Sequence, residues 1–138
     1  MRTLGIDYGD SRVGVALSVA LGLTAQGLET ISHKGNDKVV LKRLDEIFEQ
    51  YDVDTNVIGM PFNMDGTKTF RAEITEKFIH KLKCKYNKMN IVTMDERLTT
   101  VAAHKTMNFL DVNKTKKRGN VDTISAVYIL EMYMNKNK

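Results

Sequence analysis

The start of the chain constrains the fold most strongly, because two strand-like segments follow each other with only a tight turn between them. Arg2–Tyr8 has the composition of a strand, and Arg12–Ser18 carries apolar residues at every second position. The intervening Gly9-Asp10-Ser11 is typical of a hairpin turn. We therefore expect the fold to begin with antiparallel strands, extended by a third short strand at residues 27–31.

Helical and strand-like segments alternate through the rest of the chain. The expected helices begin at Asn36 or Asp37, near Phe70, at Thr99 or Thr100 (ending near residue 108) and near residue 121 (ending near residue 133), and the expected buried strands span residues 56–60 and 90–94. Together with the antiparallel start, this order predicts an α/β fold with a mixed five-stranded sheet flanked by helices. We expect residues 1–138 to form a single domain.

Composition narrows the class of protein. With 42% hydrophobic and 28% charged residues, the chain has the balance of a soluble globular protein rather than a disordered one. Asp7 interrupts the N-terminal apolar stretch, so we expect neither a signal peptide nor a membrane span. The single cysteine, Cys84, permits no internal disulfide. These features together predict a cytoplasmic protein.

The excess positive charge is local. The formal net charge is +4, and residues 112–120 contain four basic side chains and no acid. These are Lys114, Lys116, Lys117 and Arg118. A cluster of this kind is typical of contact with a polyanion, and we favour that interpretation slightly over a solvated charge run.

Three acidic residues stand where strand and helix ends would meet in such a fold. Asp7 lies in an apolar strand between Gly5 and Gly9, Glu96 follows the strand at residues 90–94, and Asp122 lies in the first turn of the last predicted helix. A buried carboxylate needs a partner, and oxygen ligands suit Mg²⁺ or Mn²⁺. The arrangement therefore suggests a metal-dependent nuclease.

In a two-metal hydrolysis of a phosphodiester, Asp7 would bridge the ions, while Glu96 and Asp122 would each hold one of them. Arg12 or Arg97 would counter the charge of the phosphate.

Each acid also has a structural explanation, since Asp7 could order the turn, Glu96 could pair with a basic residue and Asp122 could favour a helix N-terminus. Asp10, Asp65 and Asp95 are reserve ligands.

Two other groups of polar residues receive no catalytic role. His33, His80 and His104 lack the spacing of metal ligands, and we interpret them as surface or helix-face residues. Thr99 and Thr100 are interpreted as helix caps, because the sequence places no histidine or lysine base beside them.

Four motifs, in order along nearly the whole chain, resemble the YqgF/RuvX family. They are Gly5-Ile6-Asp7-Tyr8-Gly9 with residues 12–16, Ile58-Gly59-Met60-Pro61 with residues 63–66, Asp95-Glu96-Arg97-Leu98-Thr99-Thr100, and Val121-Asp122 with Ala126. The resemblance implies an RNase H-like fold related to the RuvC Holliday junction resolvases. It also implies a nuclease that matures the 5′ end of pre-16S rRNA on a ribosome precursor, with its metal-binding acids at Asp7, Glu96 and Asp122.

Two alternatives stay open beside a nuclease acting on structured RNA. A junction resolvase would cut branched DNA, and paired cuts would require a symmetric dimer, so both a monomer and a homodimer are considered. A protein of another class would bind nucleic acid in transcription or ribosome assembly without cutting it. In that case the basic residues would matter more than the acids.

Overall fold

The computed structural model describes residues 2–19, 24–62, 65–96 and 118–136. Of residues 118–122 it describes only the backbone. Several predictions fall outside the described residues: the helix from Thr99 or Thr100 to about residue 108, His104, Arg97, Lys114, Lys116 and Lys117, and the side chains of Arg118 and Asp122.

Five strands form one mixed sheet, as predicted. The strands are β1 (Arg2–Tyr8), β2 (Arg12–Ser18), β3 (Ala25–Ser32), β4 (Val53–Met60) and β5 (Asn90–Asp95), in the spatial order β3-β2-β1-β4-β5. β1 pairs antiparallel with β2, and β2 with β3, whereas β4 runs parallel to β1 and to β5. β3, β4 and β5 are longer than the apolar runs predicted, because backbone pairing with neighbouring strands continues through the flanking polar residues.

Three helices are described: α1 (Asp37–Tyr51), α2 (Phe70–Lys85) and α3 (Arg118–Lys136). Asn36 caps α1, since its side-chain oxygen accepts a hydrogen bond from the Lys38 N–H at 3.1 Å. Thr69 caps α2 in the same way, accepting from the Ala72 N–H at 2.9 Å. Among the described residues, no helix is both long and apolar enough to cross a lipid bilayer.

The last helix corrects one prediction. α3 already includes Arg118, so Asp122 lies beyond the first turn instead of within it. The apolar pattern begins only at Val121, which is why the sequence placed the helix start too late. The helix dipole acts mainly within the first turn. Stabilisation of a helix N-terminus is therefore a weaker explanation for an acidic residue at position 122.

The sheet separates two layers of core. Leu4, Ile6 and Tyr8 of β1 pack into the large core beneath α1 and α2. The opposite face carries a smaller core, in which Ala16, Val57 and Met94 of the sheet meet Ala126, Ile129 and Leu130 of α3. Side chains alternate between the two faces along each strand, so the odd-numbered residues Gly5 and Asp7 lie on the α3 face.

Glycine allows α3 to lie unusually close to the sheet. A Cβ atom at Gly5 would stand 2.7 Å from the Ala126 carbonyl oxygen and 2.8 Å from the Leu130 Cβ. At Gly27 it would stand 3.0 Å from the Thr123 Cβ. Strands β1 and β3 therefore carry α3 directly above the face on which Asp7 lies.

Candidate metal and nucleic-acid site

Asp7 is a buried carboxylate flanked by two positions that have no side chain. The residue is only 7% exposed and lies near the end of β1. Gly14 pairs with it on β2. On β4, Ile58 pairs with Ile6, so Gly59 is the next residue beside Asp7. Neither neighbouring strand therefore places a side chain of its own next to this carboxylate on the α3 face.

Glu96 fills the space left by Gly59. It follows the end of β5, two residues after Met94, which pairs with Gly59. A Cβ atom at Gly59 would stand 2.5 Å from the Glu96 Oε1 and 2.5 Å from the Ile129 Cδ1. Glu96 is 5% exposed, so its carboxylate lies buried over β4, the strand next to β1 and Asp7.

The structure thus brings two of the three predicted acids together. Asp122 lies on α3 four residues before Ala126, whose carbonyl oxygen faces Gly5, but its side chain is outside the described residues. In the described part of the chain, no three histidine, cysteine or acidic side chains gather as a metal cluster. Two buried carboxylates on one face nevertheless form an oxygen donor set that suits a hard divalent cation.

Arg12 lies on the same face, one step further toward the end of the sheet. It is the first residue of β2, two before Gly14, so alternation along the strand places both on the side of Asp7. Its carbonyl oxygen accepts a hydrogen bond from the Gly9 N–H at 2.9 Å, which closes the turn between the strands. The guanidinium is partly exposed and can meet an anion that approaches the two carboxylates.

The reserve ligands are not gathered with Asp7 and Glu96. Asp10 is exposed in the turn. Asp95 pairs with Met60, which belongs to the α1 and α2 face. Asp65 accepts hydrogen bonds from the backbone N–H and the hydroxyl of Thr67, at 2.9 and 2.7 Å, and so orders its own loop.

His33 is a supporting residue that the sequence interpretation missed. The prediction of a surface or helix-face position was wrong, because the ring is only 4% exposed. Its Nδ1 accepts from the Gly35 N–H at 3.0 Å, so the proton resides on Nε2, which donates to the Gly9 carbonyl oxygen at 2.9 Å. The ring therefore pins the turn between Asp7 and Arg12. His80, by contrast, is exposed on α2 as predicted.

Tyr8 holds the end of β1 from the opposite face. Its ring stacks with those of His33 and Phe78, at centroid distances of 5.5 and 4.5 Å, and its hydroxyl donates to Asp37. Burial raises the pKa of this hydroxyl, and the hydrogen bond and negative charge of Asp37 raise it further. Lys81 pairs with the same carboxylate at 3.0 Å. The strand end that carries Asp7 is thereby fixed.

Glycines inside strands were the signal that could have revealed this arrangement. Gly14 and Gly59 each interrupt a strand, and such a residue often marks a close approach of another group. The sequence shows both glycines but not their strand pairing. Without that pairing, neither could be assigned to the sides of Asp7.

Comparison with known proteins decides the family. The family model described as "RuvX: Holliday junction resolvase" matches residues 1–136. The chain belongs to the RuvX family. This confirms the family predicted from the sequence motifs.

Relatives within the RuvX family are similar over almost their whole length. A protein of Ruminiclostridium cellulolyticum is 54% identical over 136 residues, covering 99% of this chain and 95% of the relative. One of Acetivibrio thermocellus is 50% identical over 135 residues, covering 98% and 96%. Both bear the name "Putative pre-16S rRNA nuclease".

A solved structure confirms the predicted RNase H-like architecture. T. thermophilus RuvC, in complex with a Holliday junction substrate, matches with a TM-score of 0.62 and covers 99% of this chain and 96% of its own. The two sequences are only 12% identical, so the likeness concerns the fold alone.

Proposed function

We propose that this RuvX protein is a metal-dependent endonuclease that hydrolyses phosphodiester bonds in maturation of the 5′ end of pre-16S rRNA. The observation that carries the proposal is the burial of the Glu96 carboxylate in the space left by Gly59, beside Asp7. Two neighbouring carboxylates supply the hard oxygen ligands that a divalent cation takes. The names of the relatives support RNA as the substrate.

Asp7, Glu96 and Asp122 would hold Mg²⁺ or Mn²⁺. When bound, the metal supplies an activated water and stabilises the leaving oxygen of the phosphodiester. The protein's own part is to hold the carboxylates rigidly and to exclude bulk water, since Asp7 and Glu96 are 7% and 5% exposed. Gly59 has no side chain, which lets the Glu96 carboxylate lie over β4 on the face that carries Asp7.

Basic side chains would hold the nucleic-acid backbone around this centre. Arg12 would contact the scissile phosphate from the side of the turn. Arg97 directly follows Glu96 in the chain and would help to hold the backbone there. Four basic residues precede Asp122 and would bind phosphates further along the nucleic-acid strand: Lys114, Lys116, Lys117 and Arg118. We infer that residues 1–138 act as one domain in the cytoplasm, on a ribosome precursor.

A second candidate is a Holliday junction resolvase, which the description of the family model favours. That function would require paired cuts in branched DNA and therefore a symmetric dimer. Measuring the solution mass of the protein, free and with a four-way junction, separates the candidates. A monomer in both states would count against the resolvase.

The deciding experiment compares cleavage of a pre-16S rRNA fragment and a four-way DNA junction with Mg²⁺, with Mn²⁺ or with EDTA. We expect metal-dependent cutting of the RNA, lost to background in Asp7→Asn. Asp65→Asn is the matched control, because Asp65 accepts hydrogen bonds from Thr67 within its own loop. If neither substrate is cut while Asp7→Asn still binds RNA tightly, the protein is a binding factor and the nuclease proposal is wrong.

A further inference from the structure

A second depression lies at the same end of the sheet, on the α1 and α2 face. This groove has a volume of about 310 Å³, and its walls include Tyr8, Asp10, Asp37, Phe70, Lys77 and Lys81. Asp10 is three residues from Asp7, so the Cα atoms of these two residues are at most about 11 Å apart. A ligand in the groove would therefore lie beside the carboxylate centre without occupying it.

Phe70 is the most unusual side chain of the groove. It is 76% exposed, and the other exposed large hydrophobic residue of the described chain, Val39, is 42% exposed. The backbone beneath the ring is fixed, because the Thr69 hydroxyl donates to the Pro61 carbonyl oxygen at 2.6 Å and caps α2. The helix start thus presents an aromatic face to solvent on a rigid support.

The charges around Phe70 favour a ligand that combines a negatively charged group with a flat ring bearing polar groups. Both carboxylate oxygens of Asp37 already have partners, Tyr8 and Lys81, so its charge is compensated within the wall. Lys77 is exposed and forms no ion pair among the described residues. Asp10 is the remaining acid and can accept a hydrogen bond from an amino group.

We propose that this groove binds one unpaired nucleotide of the nucleic-acid substrate, with its base stacked on Phe70 and its phosphate next to Lys77. The inference rests on the proposed function for the substrate class, but it concerns binding and not cleavage. Exposed aromatic rings beside cationic side chains are the usual platform for single strands. An apolar protein side chain entering the groove would instead meet the charged groups of Asp10, Asp37, Lys77 and Lys81.

The test is binding of a fluorescent single-stranded RNA in EDTA, so that neither metal nor cleavage contributes. Phe70→Ala should weaken binding about 5- to 150-fold, which is the range expected for loss of one stacked base. Phe70→Tyr should restore it, because the ring is kept. Phe70→Leu should remain weak, because an apolar side chain without a ring does not stack.

Lysine variants test the phosphate contact. The logarithm of the binding constant falls linearly with the logarithm of the salt concentration. Lys77→Gln should make this negative slope less steep by about 0.7, the value for one phosphate contact on a single strand. Lys88→Gln is the matched control, since Lys88 precedes β5 at the opposite end of the sheet.

Three results would overturn the proposal. The first two are wild-type affinity for single-stranded RNA in Phe70→Ala or in Phe70→Leu. The third is that Phe70→Ala weakens binding of fully double-stranded RNA as much as binding of single-stranded RNA. Every binding measurement is made without metal. Absence of cleavage would therefore leave the nucleotide-binding result unchanged, and absence of binding in the groove would leave the cleavage result unchanged.

Discussion

The α1 and α2 face of the sheet is filled with large apolar side chains, whereas the α3 face combines glycines with the carboxylates of Asp7 and Glu96. Phe78, Leu44 and Ile47 are fully buried on the first face. On the second face, Gly5 and Gly59 replace side chains where α3 and Glu96 come close. The comparison teaches that one face mainly stabilises the fold, while the other combines a smaller apolar core with close backbone approach and two buried carboxylates.

The largest expected effect is on stability, from the well-packed face. Phe78→Ala should lower the free energy of unfolding by about 3–5 kcal/mol, because it leaves a cavity and removes the ring stacked on Tyr8. Phe70→Ala is the matched control on the same helix and should change it by less than about 0.5 kcal/mol. Urea denaturation measures both, and equal effects would mean that the two faces of α2 do not differ as described.

Glu96→Gln should have the opposite character. We expect cleavage to fall about 100- to 1,000-fold, the range for removing one group that stabilises charge at a reacting centre. Stability should change little, because glutamine keeps the size and shape of the side chain that fills the space left by Gly59. The measurements are single-turnover cleavage and thermal unfolding without metal. A large loss of stability with normal cleavage would assign Glu96 to the fold instead of the site.

Two glycine variants separate packing from site geometry on the α3 face. Gly5→Ala should cost about 3 kcal/mol, because the new methyl group meets the backbone of α3 at Ala126. Gly59→Ala should cost only about 1 kcal/mol, because it meets the movable ends of Glu96 and Ile129, yet it should weaken Mn²⁺ binding. Chemical denaturation and metal titration followed by calorimetry test the pair. Unchanged Mn²⁺ affinity in Gly59→Ala would remove the glycine from the site.

The smallest expected effect is on stability, from the Tyr8 hydroxyl at the end of the strand that carries Asp7. Tyr8→Phe should lower stability by about 0.5–1.5 kcal/mol through loss of the hydrogen bond to Asp37. The pKa of Tyr8 is raised in the fold, so this contribution is fully present below the unfolded pKa of 10.0 and is lost as pH rises above it. Unfolding measured from pH 7 to 11 should show the two proteins converging at the alkaline end. A constant difference across that range would contradict the assignment.

Much of the fold was predictable because the signals are local. Alternation in Arg12–Ser18 and the turn at Gly9 were sufficient for the antiparallel start, and helical spacing after Asn36 was sufficient for α1. Element ends were less predictable. β4 begins at Val53, because pairing with β1 continues past the polar residues Asp54 and Thr55, which lie outside the apolar run.

The site was predictable only in part. Asp7 and Glu96 were chosen because carboxylates at strand ends are chemically unusual, and the structure places both on one face. The roles of Asp7, Glu96 and Asp122 as metal ligands stay predictions. His33 was assigned wrongly, because its burial depends on Gly9 and Gly35, and no local pattern in the sequence shows that contact.

The sequence by itself determined the order of strands and helices, the family and the acids worth testing, since these depend on residue type and on spacing along the chain. Only the tertiary structure decided that Gly59 leaves the space occupied by Glu96, and that Tyr8 stacks with both His33 and Phe78. The physical reason is that strand register and pleat bring together residues far apart in the chain, and a shift of one residue would turn each of them to the opposite face.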